Sequence, residues 1–254
     1  MKGSWRDAHH PPAEDGFRSL KRLATILTIL LGISLLLDLV ATLSDLDMLG
    51  FLQDAQQGRF GSPQEADQLD SRQTLIGLGQ LAMILATGVL FVIWFRRAYR
   101  NLGSLGVSWL RFKPGWAVGS WFVPLLGVVR PKEIANDIWR ASDPDQPRTM
   151  DGPALGARVS PVIDMWWATV LIAGAFARGS LSEPGSDLEA LISHARSLLA
   201  TDLISAVSAL LAIAVVHMIT ARQHQRQARL ADLDARDGES EAPDAAPTPP
   251  PSMA

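Results

Sequence analysis

Residues 75–95 read LIGLGQLAMILATGVLFVIWF, twenty-one residues without a charge. An α-helix rises 1.5 Å per residue, so this run covers roughly 31 Å, the depth of a bilayer's hydrocarbon core. Three further apolar blocks flank it. Leu23 to Leu43 carries one charge, Asp38, and Leu198 to Ile219 also carries one, Asp202. Val162 to Ala177 carries Asp164 and is short, about 24 Å as a helix; it reaches spanning length by borrowing 159–161 or 179–181. The expected spans are therefore 23–43, 75–95, 159–179 and 198–219.

A fifth apolar run, WAVGSWFVPLLGVV at 116–129, decides how many times the chain crosses. It holds Gly119, Pro124 and Gly127, and as a helix it reaches only about 21 Å. Runs of that length are more often re-entrant or interfacial than spanning. Charge placement agrees. With four spans and both termini inside, nineteen of the 23 basic residues fall on the inner side and four on the outer. Cytoplasmic loops carry such an excess of Lys and Arg. A fifth span would put the C-terminal tail outside and split the basic central segment, so 115–130 is expected to dip into the inner leaflet without crossing. Span 1 follows Arg18, Lys21 and Arg22 as a secretory signal would, but its core is too long and no small-x-small cleavage site follows; it reads as an uncleaved anchor.

The whole-chain averages conceal this segmentation. The chain has 254 residues, 48% hydrophobic and 19% charged, with a net charge of -3 and a mean hydropathy of +0.14. The four blocks hold only three charged residues, and the polar loops and tails hold the rest. There is no cysteine, which removes disulfides, thiol nucleophiles and thiolate metal sites together. A net charge near zero argues against nucleic acid as a partner.

Local signals fill in the loops. Residues 1–16 are polar and contain Pro11 and Pro12, the composition of a disordered leader. In the acidic outer loop, Ser44 is a candidate cap for a short helix ending near Gly58. Ser62, Pro63 and Glu65 match an N-cap, an N1 proline and an N3 glutamate, starting a helix that runs into span 2. Ser186 and Glu189 have capping-box spacing before span 4, which belongs to one long helix from about Asp187 to near Leu230. Residues 231–254 are acidic and proline-rich and read as a disordered tail.

The central segment is the most distinctive part. Seven of the eight tryptophans lie between Trp94 and Trp167, interleaved with Arg96, Arg97, Arg100, Arg111, Arg130 and Arg140. Tryptophan favours the headgroup level, its ring buried and its N–H wet. Arginine suits the same level, reaching phosphates while its stem covers apolar surface. Pro131 to Ser142 opens with a proline suited to N1 and sets Ile134, Ile138 and Trp139 on one face, with Lys132, Glu133 and Asp137 elsewhere. It is expected to be a short amphipathic helix, 131–142, lying on the inner surface.

These residues carry a family resemblance. WFRRAYRNLGSLG from Trp94, then PGWAVGSWFVPLLGVVRPKEIANDIWRASDP, then DMWW, resemble the bacterial membrane-protein family catalogued as domain of unknown function 4328, over roughly residues 20–220. The resemblance implies a multi-span membrane domain with variable polar tails. It implies no activity and carries no functional residue with it.

The residue reading is thus an all-α integral membrane four-helix bundle of the bacterial inner membrane, multi-pass, with cytoplasmic termini. Its partners are the bilayer, anionic lipid headgroups and a protein partner. The platform that binds them comprises Arg96, Arg97, Arg100, Trp116, Trp121, Arg130, Trp139 and Arg140, and the role is a non-catalytic scaffold or sensor. A second reading is a small proton- or cation-coupled transporter or channel subunit. Asp38 and Asp202 would serve the outer end of its path and Asp164 and His217 the inner end, because ionisable groups inside spans are costly unless paired or hydrated. A third is a membrane-embedded enzyme built on Asp164 with Arg130 or Arg140. No His-Glu-x-x-His, Gly-x-Ser-x-Gly or phosphate-loop motif is present, and no metal or cofactor is expected. Small residues at four-residue spacing, Ala82 with Ala86, Ser205 with Ala209 and Ser208 with Ala212, suggest that span 2 packs on span 4 or on another copy in a homo-oligomer.

Overall fold

The apolar block from Leu23 to Leu43 and the residues that follow it contain no proline, so nothing stops the backbone from closing its own hydrogen bonds, and α1 spans Lys21–Gln56 without a break. The computed structural model describes residues 16–151, 158–180 and 187–241. The remaining helices are α2, Pro63–Ser104; α3, Trp116–Gly119; α4, Leu126–Ala141; α5, Pro161–Ser180; and α6, Leu188–Glu241. The described residues contain no strand; Val107 and Met150 meet in a single parallel bridge. Three helices, α1, α2 and α6, are long and apolar enough to cross a membrane. At twenty residues, α5 is about 30 Å long.

Hydrogen bonds between the helices fix their directions. At one end, Asn101 Nδ2 donates to the Arg18 carbonyl and to Gln223 Oε1, at 2.9 and 3.0 Å. At the other end, Arg72 Nε donates to Ser44 Oγ at 2.9 Å and Gln73 Nε2 to Asp45 Oδ1 at 2.7 Å. So α1 runs antiparallel to α2, and α6 parallel to α2. In the packing, α1 lies against both α6 and α2, α5 lies against α6, and α4 touches α2, α5 and α6.

Several local expectations change. Ser44 does not cap a helix: it is buried inside α1, and no glycine or proline lies near it to interrupt the helix. Ser62 does cap α2, its Oγ accepting from the Glu65 N–H at 3.2 Å, with Pro63 at the first helical position. At the start of α6, Asp187 is the capping side chain, accepting from the Ala190 N–H at 3.3 Å; Ser186 lies outside the described residues. That helix also runs beyond Leu230 to Glu241, so 231–241 is helical rather than tail. Helix-favouring Ala, Arg and Leu, the Arg236–Asp232 pair at 2.9 Å one turn apart, and ion pairs from Arg148 to Asp234 and Asp237 support the extension. The expected leader up to residue 15 and the tail beyond 241 lie outside the described residues.

The central segment is rearranged most. The helix expected at 131–142 starts five residues earlier, at Leu126, which places Pro131 inside it. Its buried stripe, Pro131, Ile134, Ala135, Asp137, Ile138 and Ala141, faces protein rather than a membrane surface. Within 115–130, one helical turn, α3, is followed by turns through Pro124, and Leu125 takes a left-handed φ of 66° where α4 begins. The small-residue faces of spans 2 and 4 do not meet either. Ala209 and Ala212 are buried, on a helix whose main neighbours are α1 and α5, whereas Ala82 and Ala86 are exposed.

Candidate functional site

Most of the candidate platform gathers at the end of the molecule where α1 begins and α2 finishes. Arg96, Arg97 and Arg100 lie within five residues on the last turns of α2. The reciprocal pair between Asn101 and the Arg18 backbone, with Arg18 N–H to Asn101 Oδ1 at 3.2 Å, lays the segment before α1 alongside them. Arg97 Nη1 donates to the Ser19 carbonyl at 3.4 Å. These arginines border a groove of about 620 Å³ that Arg18 and Asn101 also line and whose remaining walls are apolar, among them Leu85, Val89, Val92, Val118, Trp121 and Phe122.

The segment leading to α3 is tied down by Tyr99. Its hydroxyl donates to the Phe112 carbonyl at 3.2 Å and accepts from the Phe112 N–H at 2.9 Å. Burial pushes this phenol further above its ordinary range. Beside it, the Arg130 guanidinium lies over Phe112 at 4.8 Å and over Trp116 at 4.6 Å, while Arg111 covers Phe112 at 4.9 Å and pairs with Glu133 at 2.7 Å. Such stacking holds an arginine flat on an aromatic face. Phe122, Leu125, Val128 and Val129 remain exposed next to this shelf.

Three of the seven central tryptophans are withdrawn from any wet belt. Trp94, Trp166 and Trp167 are buried. Trp94 Nε1 donates to Thr220 Oγ1 at 3.2 Å and Trp167 Nε1 to the Val128 carbonyl at 3.0 Å. Trp121 stands edge-on to Phe91, Phe95 and Trp167, at 5.7, 5.8 and 5.9 Å between ring centres. Trp94 and Trp167 thus give their indole N–H to protein acceptors, whereas Trp121 Nε1 is buried without one among the described residues; these rings serve as the packing that joins 116–125 to α2 and α5. Trp139 is engaged separately: Arg222 lies over its ring at 4.2 Å, donates to its carbonyl at 3.2 Å, and pairs with Asp143 at 2.6 Å. Arg140 is the next residue along α4. The platform thus divides into a groove group (Arg96, Arg97, Arg100, Trp121), a stacked pair (Trp116, Arg130), and Trp139 beside α6 with Arg140 next to it in sequence.

Two residues of this region escape sequence reasoning. Arg226 is almost wholly buried, yet its guanidinium donates to four carbonyl oxygens: Leu105 at 2.8 Å, Asp143 at 2.7 Å, Gln146 at 3.3 Å and Pro147 at 2.9 Å. It therefore joins α6 to both connections around it. Gly106 completes that junction with a φ of 92°, and a Cβ there would overlap the Arg148 carbonyl oxygen. The other is Asp137, which is fully buried with neither carboxylate oxygen hydrogen-bonded to the described residues. Burial raises it to about 7, against the lowering influence of Arg111 and Arg140. No spacing in the sequence marks either residue, because both are set by how distant segments pack.

The candidate ion-path residues are separated into three places. Asp38 and Asp202 come together at the far end, where Gln80 Nε2 donates to both, at 3.1 and 2.9 Å. Asp164 is exposed and pairs with Lys132 at 3.0 Å. His217 is exposed too, its Nε2 2.9 Å from Thr28 Oγ1. Among the described residues, no group of three or more His, Asp or Glu side chains is arranged to hold a metal ion.

The model of the family described as domain of unknown function (DUF4328) matches residues 57–221, from the end of α1 to within α6. No curated protein and no solved structure matches the chain.

Proposed function

The chain belongs to the domain of unknown function family DUF4328, and from that premise we propose that it is a non-catalytic scaffold or sensor of the bacterial inner membrane. In this reading α5 crosses the bilayer together with α1, α2 and α6, both termini are cytoplasmic, and the basic end faces the cytoplasmic leaflet. There it gathers anionic headgroups or a protein partner. The observation that carries this is a juxtaposition: arginines converge at one end of the long apolar helices, directly beside the exposed apolar residues Phe122, Leu125, Val128 and Val129. A basic shelf with an apolar flank matches the headgroup level of an anionic leaflet, where each Lys or Arg contributes roughly 1 kcal/mol of attraction.

Native-nanodisc purification tests it. The wild-type protein should carry anionic lipid in excess over the surrounding membrane, or a specific protein. Neutralising Arg96, Arg97 and Arg130 together to Gln should release that lipid or protein. An unchanged set of lipids and proteins would contradict the proposal.

A further inference from the structure

The groove beside α2 has the dimensions and polarity of a single phospholipid site. Leu85, Val89, Val92, Arg96 and Arg100 recur every three or four residues and so form one stripe along α2. From Leu85 to Arg96 is eleven residues, about 17 Å of helix, close to half of a hydrocarbon core about 30 Å thick. The apolar part of the stripe is therefore as long as one leaflet is deep, and the arginines begin where a phosphate lies. Phe122, 75% exposed, stands opposite as the second wall. Gly88 also lines the groove and, lacking a side chain, leaves a notch in its wall, since a Cβ added there would meet no atom within 4 Å.

Charge selects the headgroup. The described lining holds four arginines, Arg18, Arg96, Arg97 and Arg100. Arg96 is exposed at the rim. Guanidinium groups match phosphate oxygens with paired N–H donors.

We infer that this groove binds one anionic phospholipid, its phosphate held by the Arg96, Arg97 and Arg100 cluster and one acyl chain lying along Leu85, Val89 and Val92 against Phe122. The inference rests on the proposed function in one respect, that the basic end lies at a membrane leaflet. It goes further in replacing a diffuse basic surface with a shaped site of fixed stoichiometry.

Native mass spectrometry of the full-length protein, released from micelles containing phosphatidylglycerol or phosphatidylcholine, tests it. The wild-type protein should retain one phosphatidylglycerol and release phosphatidylcholine. Gly88→Phe fills the notch without changing charge and should weaken that retention by about tenfold, as should Arg96→Gln combined with Arg100→Gln. Thermal unfolding of each variant shows whether it remains folded, and Gly88→Ala, which leaves the groove open, should retain the lipid. If folded Gly88→Phe keeps phosphatidylglycerol while the arginine variant loses it, the groove is overturned and the basic platform stands. Equal retention of both lipids by the wild-type protein would overturn both.

Discussion

The two ends of the helices are built on different principles. At the basic end, side chains are buried against protein: Leu20, Trp94, Phe95, Tyr99, Leu102, Leu105, Ile134 and Ile138 have almost no exposed surface. Several polar groups there are matched across long sequence separations, as Asn101 to Gln223 and Arg226 to the carbonyls around it, although the Asp137 carboxylate is not. Toward the opposite end, Leu36, Leu39, Val40, Leu43, Leu75, Leu78 and Leu81 are exposed on α1 and α2. None of the most apolar window of α2 is buried within the chain. In water such a surface would be a severe liability; in lipid it needs no protein partner, because hydrocarbon is as apolar as leucine. The basic end is ordered by large buried side chains, whereas the other end is held by its helices' own hydrogen bonds, a few polar contacts, smaller buried residues such as Ala41, Ile192, Ala195 and Ala206, and the solvent it meets.

Removing the Arg226 side chain should break this contrast most severely. Arg226→Met leaves one buried and three part-buried carbonyl oxygens without their donor, and should cost about 3 kcal/mol or more, read as a large drop in thermal midpoint in detergent. Arg226→Lys should recover only part, since a single ammonium cannot fork across four acceptors.

Next in size is Asp137, which should make the same end sensitive to pH. Its folded value, near 7, lies above the ordinary carboxylate value near 4. Between these the folded state binds the extra proton, so its stabilising contribution is complete below about 4 and disappears as pH rises toward 7. The slope within that window should approach about 1.4 kcal/mol per pH unit. Asp137→Asn should flatten it, which a set of thermal melts from pH 4 to 8 would show (roughly the interval the shift covers).

The smallest effect belongs to the opposite end. Gln80→Leu removes the amide that bridges Asp38 and Asp202, and should cost about 1–3 kcal/mol. The loss should be measurable as weaker protection of α1, α2 and α6 amides near Asp38, Gln80 and Asp202, with the basic end unchanged. A loss as large as that of Arg226→Met would erase the distinction between the two ends.

How legible this was in the sequence follows the same division. The long helices and the Ser62–Pro63–Glu65 start are local: apolar runs and cap spacing decide them, and they could be read directly. Ser44 was misleading because a capping residue has no effect where neighbouring residues continue the helix. Arg96, Arg97 and Arg100 could be recognised as a group because they are adjacent on one helix. Their pairing with Phe122 and the segment before α1 could not, because it depends on the turns through 120–125. The burial of Trp94, Asp137 and Arg226 is likewise a product of tertiary packing, and single residues in polar, amphipathic stretches carry no periodic signal for it.

The central claim is that the basic end faces the cytoplasm with four helices crossing the bilayer, and the absence of cysteine from the sequence allows a direct measurement. Single substitutions Phe60→Cys, Asp145→Cys, Glu189→Cys and Asp232→Cys place one thiol in each connection or extension at exposed positions. In intact cells, a membrane-impermeant thiol reagent should label positions 60 and 189, and reach 145 and 232 only after permeabilisation. Labelling of position 145 in intact cells, or protection of 189, would contradict the account.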